Sequence, residues 1–395
     1  MKKILFIGGI LPEKKLNEII SNSICNVDFA AHNFQKKILK GLDDNNCSYD
    51  VLSVPFISSF PKYYKKIKIN EFNDRNMQYL KFVNLPYYRI FSRYLTLKRR
   101  IKKYSKYNQD FDVIIYSLHY PFIKNAKNIK KKFPQCKINL VVPDLQEFMS
   151  TKTNFIFKML NKIEIKKTNK YLKYIDNYVF LTEYMNNKLN VYNKPYVVVE
   201  GISNFNLSKE TNNFFNETEK YFAYTGTLAK RYGIMHLVNA FLKTKRENIK
   251  LIICGHGEMA EQLKKISLEN DKIIYKGLVS PEESAEIQKK AFALINPRMN
   301  DEEYTKYSFP SKILEYISNG KPIICYKLDG FPNEYDDILI YPKDNSIESL
   351  SDCIDEVANY SNELIAKIKK NSAKFIELKS PKKMVEKILN LYNNN

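Results

Sequence analysis

The sequence predicts an α/β protein made of two Rossmann-like, doubly wound domains facing one another across a central cleft. Strand-like apolar runs alternate with helical stretches through residues 1–203, and the alternation restarts at residue 221. That is the pattern of parallel sheets covered by helices. Residues 204–220 between the two series are polar, rich in Asn and Glu, and read as a linker. At 395 residues the chain is long enough for two domains, each with its own core.

Composition narrows the function classes. Hydrophobic residues make up 44% of the chain, which argues against general disorder. A formal net charge of +21 favours partners that carry phosphate, whether nucleotides, nucleic acid or an anionic membrane. Compositional bias toward Lys accounts for most of that total, so the location of the charge matters more than its sum. The six cysteines, Cys25, Cys47, Cys136, Cys254, Cys325 and Cys353, form no CxxC pair and no metal-site spacing, and a reducing cytoplasm is the simplest location. The opening apolar run is short and gives way to Pro12, Glu13, Lys14 and Lys15, unlike a signal peptide. No later run is long enough to span a bilayer, so membrane contact would be peripheral.

Open parallel sheets bind ligands outside the carboxyl ends of their strands. Residues 2–7 read as a first strand ending in Gly8 and Gly9, and residues 30–42 as a helix. The glycine pair either lets substrate approach the backbone on the acceptor side or makes a plain tight turn; no GxGxxG follows. After a second strand at 49–54, residues 62–106 carry fourteen Lys and Arg against Glu71 and Asp74, with aromatic residues threaded through them. This segment reads equally as a membrane-facing surface or as a solvated helical face, with nucleic acid well behind both. The third strand, 112–117, is followed by His119, a structural histidine on residue type alone. Asp110 and Asp112 precede that strand and read as a loop at the opposite edge. A fourth strand, 137–142, leads to Asp144, a candidate for binding or polarising an acceptor hydroxyl. Residues 152–174 read as a long basic amphipathic helix, and 178–181 and 196–200 as further strands.

In the second half, strands are expected at 221–224, 249–254, 272–275, 291–295, 322–325 and 338–341, and late helices at 347–360, 362–375 and 381–392. Gly226 and Thr227 leave the first of these strands, and Lys230, Arg231 and Gly233 open the next helix. Either cation suits a diphosphate, and the residues do not choose between them. Arg298, after the 291–295 strand, either reaches phosphate or holds its loop. Residues 310–319 read as a short helix, with Pro310 in the first turn, Gly320 in a left-handed stop and Pro322 blocking continuation. Its free N–H groups around Ser311, with Lys312 beside them, suit phosphate, and Glu315 one turn on suits a ribose diol. The stretch therefore reads as a nucleotide site.

The segment Ser308-Phe309-Pro310-Ser311-Lys312-Ile313-Leu314-Glu315-Tyr316, followed by Gly320 and Pro322, resembles the donor-binding signature of retaining glycosyltransferases of the GT-B fold, family four, in its capsule and exopolysaccharide branch. Tyr307 stands where that signature usually has its first Glu, which implies a changed donor pocket. The resemblance implies hexosyl transfer from a nucleotide-sugar to a lipid-linked cell-surface glycan, on the inner face of the membrane, with no metal and no cofactor beyond the donor. It implies that 1–203 takes the acceptor, that 221–375 takes the donor, and that a final helix within 376–395 crosses back to the first domain. It points His119 at the transferred sugar, sets Arg231 and Lys312 on the leaving diphosphate, and brings Gly226, Thr227, Lys230, Gly277, Arg298, Tyr307, Ser308, Phe309, Pro310, Ser311 and Glu315 to the donor. Retention would follow a front-face route in which the departing phosphate takes the acceptor proton. Tyr307 also leaves open a non-catalytic, nucleotide-binding subunit of the same shape.

Overall fold

The computed structural model describes residues 2–25, 27–148, 155–191, 193–203 and 220–393. Of the linker expected at 204–220, residues 204–219 lie outside them and Lys220 opens a strand. The chain divides into two compact units, one of residues 1–202 with 381–395 and one of residues 203–380.

The first unit is built on an eight-stranded sheet: β1 (Lys3–Gly8), β2 (Tyr49–Ser53), β3 (Phe72–Asp74), β4 (Met77–Tyr79), β5 (Phe111–Tyr116), β6 (Ile138–Val142), β7 (Asn177–Phe180) and β8 (Tyr196–Val198). The order is β8-β7-β6-β5-β1-β2-β4-β3, parallel throughout except for the antiparallel β3 edge. Ile4 to Ile7 and Val113 to Ile115 are fully buried, as both faces of a helix-covered parallel sheet require. The order reverses at β1, whose neighbours are β2 and β5, so the loops leaving β1 and β5 border the switch point.

Residues 62–106 hold more structure than a charge run suggests. After short strands comes a helix, Tyr88–Tyr107, that buries Arg93, Leu97, Ile101 and Tyr104. Tyr64, Tyr79 and Phe82 also enter the interior, while Tyr87 is 72% exposed and Phe91 52% exposed. The segment therefore splits into core rings and surface rings. Of the expected 152–174 helix, Phe155–Asn169 is helical, and a separate turn at Leu172–Tyr174 follows it.

The second unit has five parallel strands: β9 (Lys220–Thr225), β10 (Ile249–Cys254), β11 (Ile273–Gly277), β12 (Ala293–Asn296) and β13 (Ile323–Cys325), in the order β11-β10-β9-β12-β13. The strand expected at 338–341 is reduced to a single bridge between Ile324 and Ile340. Pro342 follows Tyr341 and offers no N–H to extend the ladder. The expected boundary at 375 falls inside the helix Asn362–Leu378. Ser372, Phe375 and Ile376 are buried there, and the buried Lys379 ammonium pairs with Glu334, so this helix belongs to the second unit.

The helix Pro381–Asn390 belongs to the first unit. Met384, Val385, Ile388 and Leu389 form its buried stripe against the helix Phe29–Asp44. A Cβ on Gly41 would collide with Val385 and the Pro381 carbonyl, so glycine permits this close approach. Beyond it, the buried Tyr392 hydroxyl donates to the Val113 carbonyl at 2.8 Å. Four large apolar side chains at roughly 1.5–3 kcal/mol each match the whole stability of an ordinary domain, about 5–15 kcal/mol. Deleting residues 381–395 should therefore abolish cooperative melting of the first unit in scanning calorimetry; a deletion variant that melts as wild type would contradict this packing account.

Candidate active site

In the second unit the strand order reverses between β9 and β12, and the loops at their carboxyl ends meet. Gly233 makes this possible. Its φ is +74°, and a Cβ there would strike the Pro297 carbonyl directly after β12. Lys230 and Arg231 were expected to open a helix; instead they form a tight turn, Lys230–Tyr232, before the helix Ile234–Leu242. Lys230 is exposed and its backbone N–H donates to the Glu258 carboxylate. Gly255 and Gly257 have a structural role, since a Cβ on either would collide with the backbone of 226–228. Gly277, at φ +72°, has open space around it, and Thr227 is exposed.

The helix Ser311–Ile317 starts at the Pro310 cap and stops at Gly320, whose φ is +63°. It is locked to β9 by Tyr316, which is fully buried: its hydroxyl accepts from the Thr225 N–H at 3.0 Å. Gln288 donates from Nε2 to Thr225 Oγ1 at 2.8 Å and to Glu315 Oε1 at 2.6 Å, and Lys312 Nζ lies 3.0 Å from the same carboxylate. Glu315 is thus held in place with one oxygen engaged by an amide. Phe309 does not face a ligand; it is buried against Phe331 and Tyr335 and anchors its loop. Tyr307, with its hydroxyl 3.5 Å from Glu303 Oε1, is half-buried.

Arg298 is the most unusual charge in this unit. It is only 8% exposed, donates from Nη2 to Ser308 Oγ, and stacks on Tyr304 with 4.6 Å to the ring centroid. Its Nε and the Tyr304 hydroxyl are buried without a hydrogen-bond partner among the described residues. The Arg231 guanidinium stands 5.1 Å from the same ring, so two cations lie against Tyr304. Burial lowers the Arg298 pKa, but a guanidinium remains protonated. No carboxylate among the described residues forms an ion pair with either arginine, and an anion would complete the site.

In the first unit, Gly8 and Gly9 leave β1. A Cβ on Gly8 would strike Gln35, and one on Gly9 would strike the Phe56 ring, while the Gly9 N–H donates to Gln35 Oε1 at 2.8 Å. Both glycines therefore serve close packing of the turn. His119 caps the helix Tyr120–Lys132, with its ring edge-on to Phe122 at 4.8 Å and to Phe56 at 5.9 Å. Its Nε2 lies 3.4 Å from Nη1 of Arg93. A guanidinium can only donate, so Nε2 must accept and the single ring proton sits on Nδ1. Burial, then Arg93 and Arg89, holds the His119 pKa well below the usual value. His119 is thus a neutral hydrogen-bond donor at neutral pH and no general base. Asp144, after β6, is an exposed residue whose carboxyl pKa is raised by the protein around it and by the nearby Asp28.

Sequence reasoning overlooked Arg93, Gln288, Tyr304 and Tyr316. Asp112 accepts the Lys137 N–H at 2.8 Å and Asp110 pairs with Lys2, so these acids are structural. Among the described residues no group of three or more His, Cys, Asp or Glu could hold a metal, and no helix is long and apolar enough to cross a membrane.

Residues 207–375 match the family described as glycosyl transferases group 1. An uncharacterized glycosyltransferase of Methanocaldococcus jannaschii is 26% identical over 378 residues, covering 88% of this chain and 92% of that protein. The structure is similar to sucrose-phosphate synthase from Thermosynechococcus elongatus, with a TM-score of 0.66 at 12% identity over 100% of this chain and 98% of that one. It is also similar to WaaG, a glycosyltransferase involved in lipopolysaccharide biosynthesis, with a TM-score of 0.57 at 11% identity over 99% and 100% of the two chains. The chain has the GT-B fold, and residues 207–375 within it match the group 1 glycosyltransferase family. Arg298, Glu315, Lys312 and the β9 loop all lie within the matched glycosyltransferase domain, whereas His119 and Asp144 lie in the other unit.

The neutral His119 ring makes stability depend on pH. Because its folded pKa is depressed, the unfolded chain takes up this proton first as pH falls through about 6.5, and the stability carried by the neutral ring is lost below that pH. Nitrogen-15 NMR at pH 6.5 should find His119 neutral and protonated on Nδ1. An ordinary titration midpoint, or a proton on Nε2, would contradict the Arg93 contact.

Proposed function

We propose that this protein transfers a hexosyl group from a nucleotide-sugar to a lipid-linked cell-surface glycan, in capsule or exopolysaccharide synthesis, with retention at the anomeric carbon and without a metal. The observation that carries the reading is Arg298: a buried cation with an unpartnered Nε at the switch point of the glycosyltransferase domain. As the bond from the anomeric carbon to the diphosphate oxygen breaks, negative charge grows on the phosphate. Fixed cations stabilise that charge more than they stabilise the bound donor. Arg298 and Arg231 supply two such charges through Tyr304, and Lys312 supplies a third. Glu315, oriented by Gln288, accepts hydrogen bonds from the ribose.

The new bond joins the anomeric carbon to the acceptor oxygen, and the acceptor proton passes to the leaving phosphate. This front-face route needs no protein nucleophile and agrees with the resemblance to retaining enzymes. His119, as a neutral donor, suits a sugar hydroxyl, and Asp144 suits the acceptor. A membrane-borne acceptor is supported by the exposed Tyr87, Tyr88 and Phe91 at the start of a helix rich in Arg and Lys, a combination that suits an anionic surface. The involvement of WaaG in lipopolysaccharide biosynthesis points to the same class of acceptor.

Arg298→Gln should lower donor turnover by roughly a hundredfold or more while the melting temperature stays near wild type; near-normal turnover would remove Arg298 from the site. Replacing Tyr87, Tyr88 and Phe91 together by Ser should release the protein from anionic vesicles in a flotation assay without changing hydrolysis of the donor. Unchanged vesicle binding would restrict these rings to a solvated face.

A further inference from the structure

The chain leaves β5 at Tyr116 and enters the helix Tyr120–Lys132 after only three residues, Ser117, Leu118 and His119. Ser117 makes that turn with φ at +81°. Among the described residues the other non-glycine positions with positive φ are Asn46, Arg75, Tyr87 and Asn190, and all four are exposed. Ser117 is only 9% exposed. A Cβ disfavours this region of backbone space, whereas glycine enters it freely. Such a conformation persists only where its surroundings hold it.

All three residues of the turn are held. The Ser117 N–H donates to the Val141 carbonyl at 2.9 Å, which carries the ladder between β5 and β6 into the turn. Leu118 is buried, and its carbonyl accepts from Gln146 Nε2 at 2.6 Å. The His119 carbonyl accepts from the Phe122 and Ile123 N–H groups at 2.8 and 3.1 Å, and Pro121 fixes the first helical turn. Gln146 follows Asp144 by two residues, and its Nε2 also lies 3.5 Å from Oγ1 of the buried Thr168. One amide thus ties the His119 turn to the loop that carries Asp144 and to the helix Phe155–Asn169.

We propose that Ser117 and Gln146 are positioning residues for the transfer step, which hold the turn after β5 so that His119 presents its Nδ1 proton in one fixed direction. The inference rests on the reading of His119 as a hydrogen-bond donor to a sugar hydroxyl. Phe56, Phe122 and Arg93 surround the ring and place its proton on Nδ1, but they act on a side chain whose direction is set by the backbone beneath it. A donor aligned before the substrate arrives needs no reorganisation during reaction, and a small misplacement of such a group lowers the rate steeply. Relaxing the turn should therefore cost activity while it relieves the fold.

The test compares Ser117→Gly and Gln146→Met in the full chain with Asn46→Gly, which relaxes an exposed left-handed residue just before β2, at the opposite sheet edge. Hydrolysis is assayed on UDP-glucose, UDP-galactose, GDP-mannose and TDP-rhamnose, and His119 is observed by nitrogen-15 NMR. Ser117→Gly should melt at or above the wild-type temperature and yet lose about tenfold in kcat with KM for the donor unchanged. Gln146→Met, which keeps the side-chain length but has no N–H, should lower kcat in the same way. In both variants the single Nδ1 proton of His119 should give way to a mixture of tautomers, while Asn46→Gly matches the wild type in kcat and in the histidine spectrum. Wild-type kcat in both variants, an unchanged Nδ1 proton in both, or an equal loss of kcat in Asn46→Gly overturns the proposal. If the wild type hydrolyses none of the four donors while the histidine response is seen, the transferase reading fails and the positioning of His119 stands.

Discussion

Two arginines, one in each unit, are buried without a carboxylate to pair with among the described residues. Arg93 is 4% exposed and Arg298 is 8% exposed. Each stacks on an aromatic ring, Phe82 at 4.4 Å and Tyr304 at 4.6 Å, and each keeps an Nε with no partner among the described residues. Removing a guanidinium from water costs several kcal/mol unless its hydrogen bonds and charge are matched. Ring faces, two carbonyls for Arg93 and a serine hydroxyl for Arg298 return part of that cost. The remainder makes each site receptive to an anion or fixes a neighbouring group, and it falls on the edge where parallel sheets bind ligands.

The two arginines act differently because their neighbours differ. Arg93 spends its terminal nitrogens on the Pro55 and Ile57 carbonyls and on His119, so it positions the loop after β2 and sets the histidine tautomer. Arg298 spends one nitrogen on Ser308 and shares Tyr304 with Arg231, which concentrates positive charge at the reversal of strand order. The lock between Tyr316 and Thr225 then sets Lys312 and Glu315 on the same sheet edge. Charge, hydrogen-bond acceptor and strand edge are brought together by backbone geometry that Gly233 and Gly255 make possible.

Much of this was legible in the sequence because it is local. The strands announce themselves as apolar runs, and the short helix is bracketed by Pro310 and Gly320, whose conformations are dictated by residue type. What was not legible depends on partners distant in the chain. Arg93 looks like one cation among fourteen, and only its burial beside His119, 26 residues later, sets it apart. Gln288 sits in a helix of Glu and Lys and shows its purpose only when Thr225 and Glu315 arrive beside it. Phe309 misleads in the opposite direction: it stands inside the signature stretch, yet its ring belongs to the core. The C-terminal crossing was misplaced because Asn362–Leu378 keeps helical periodicity past residue 375, and periodicity alone does not say which unit buries the stripe.

The measurement that tests the central claim most directly is a thermal-shift panel of UDP, GDP, CDP, TDP and ADP on the wild type and on Glu315→Ala. A ligand that binds the native state raises its melting temperature by mass action. The account predicts that one nucleoside diphosphate stabilises the wild type and loses that effect when the ribose acceptor is removed. No response to any of the five, or the same response in both proteins, would contradict a nucleotide site built on Glu315 and Arg298.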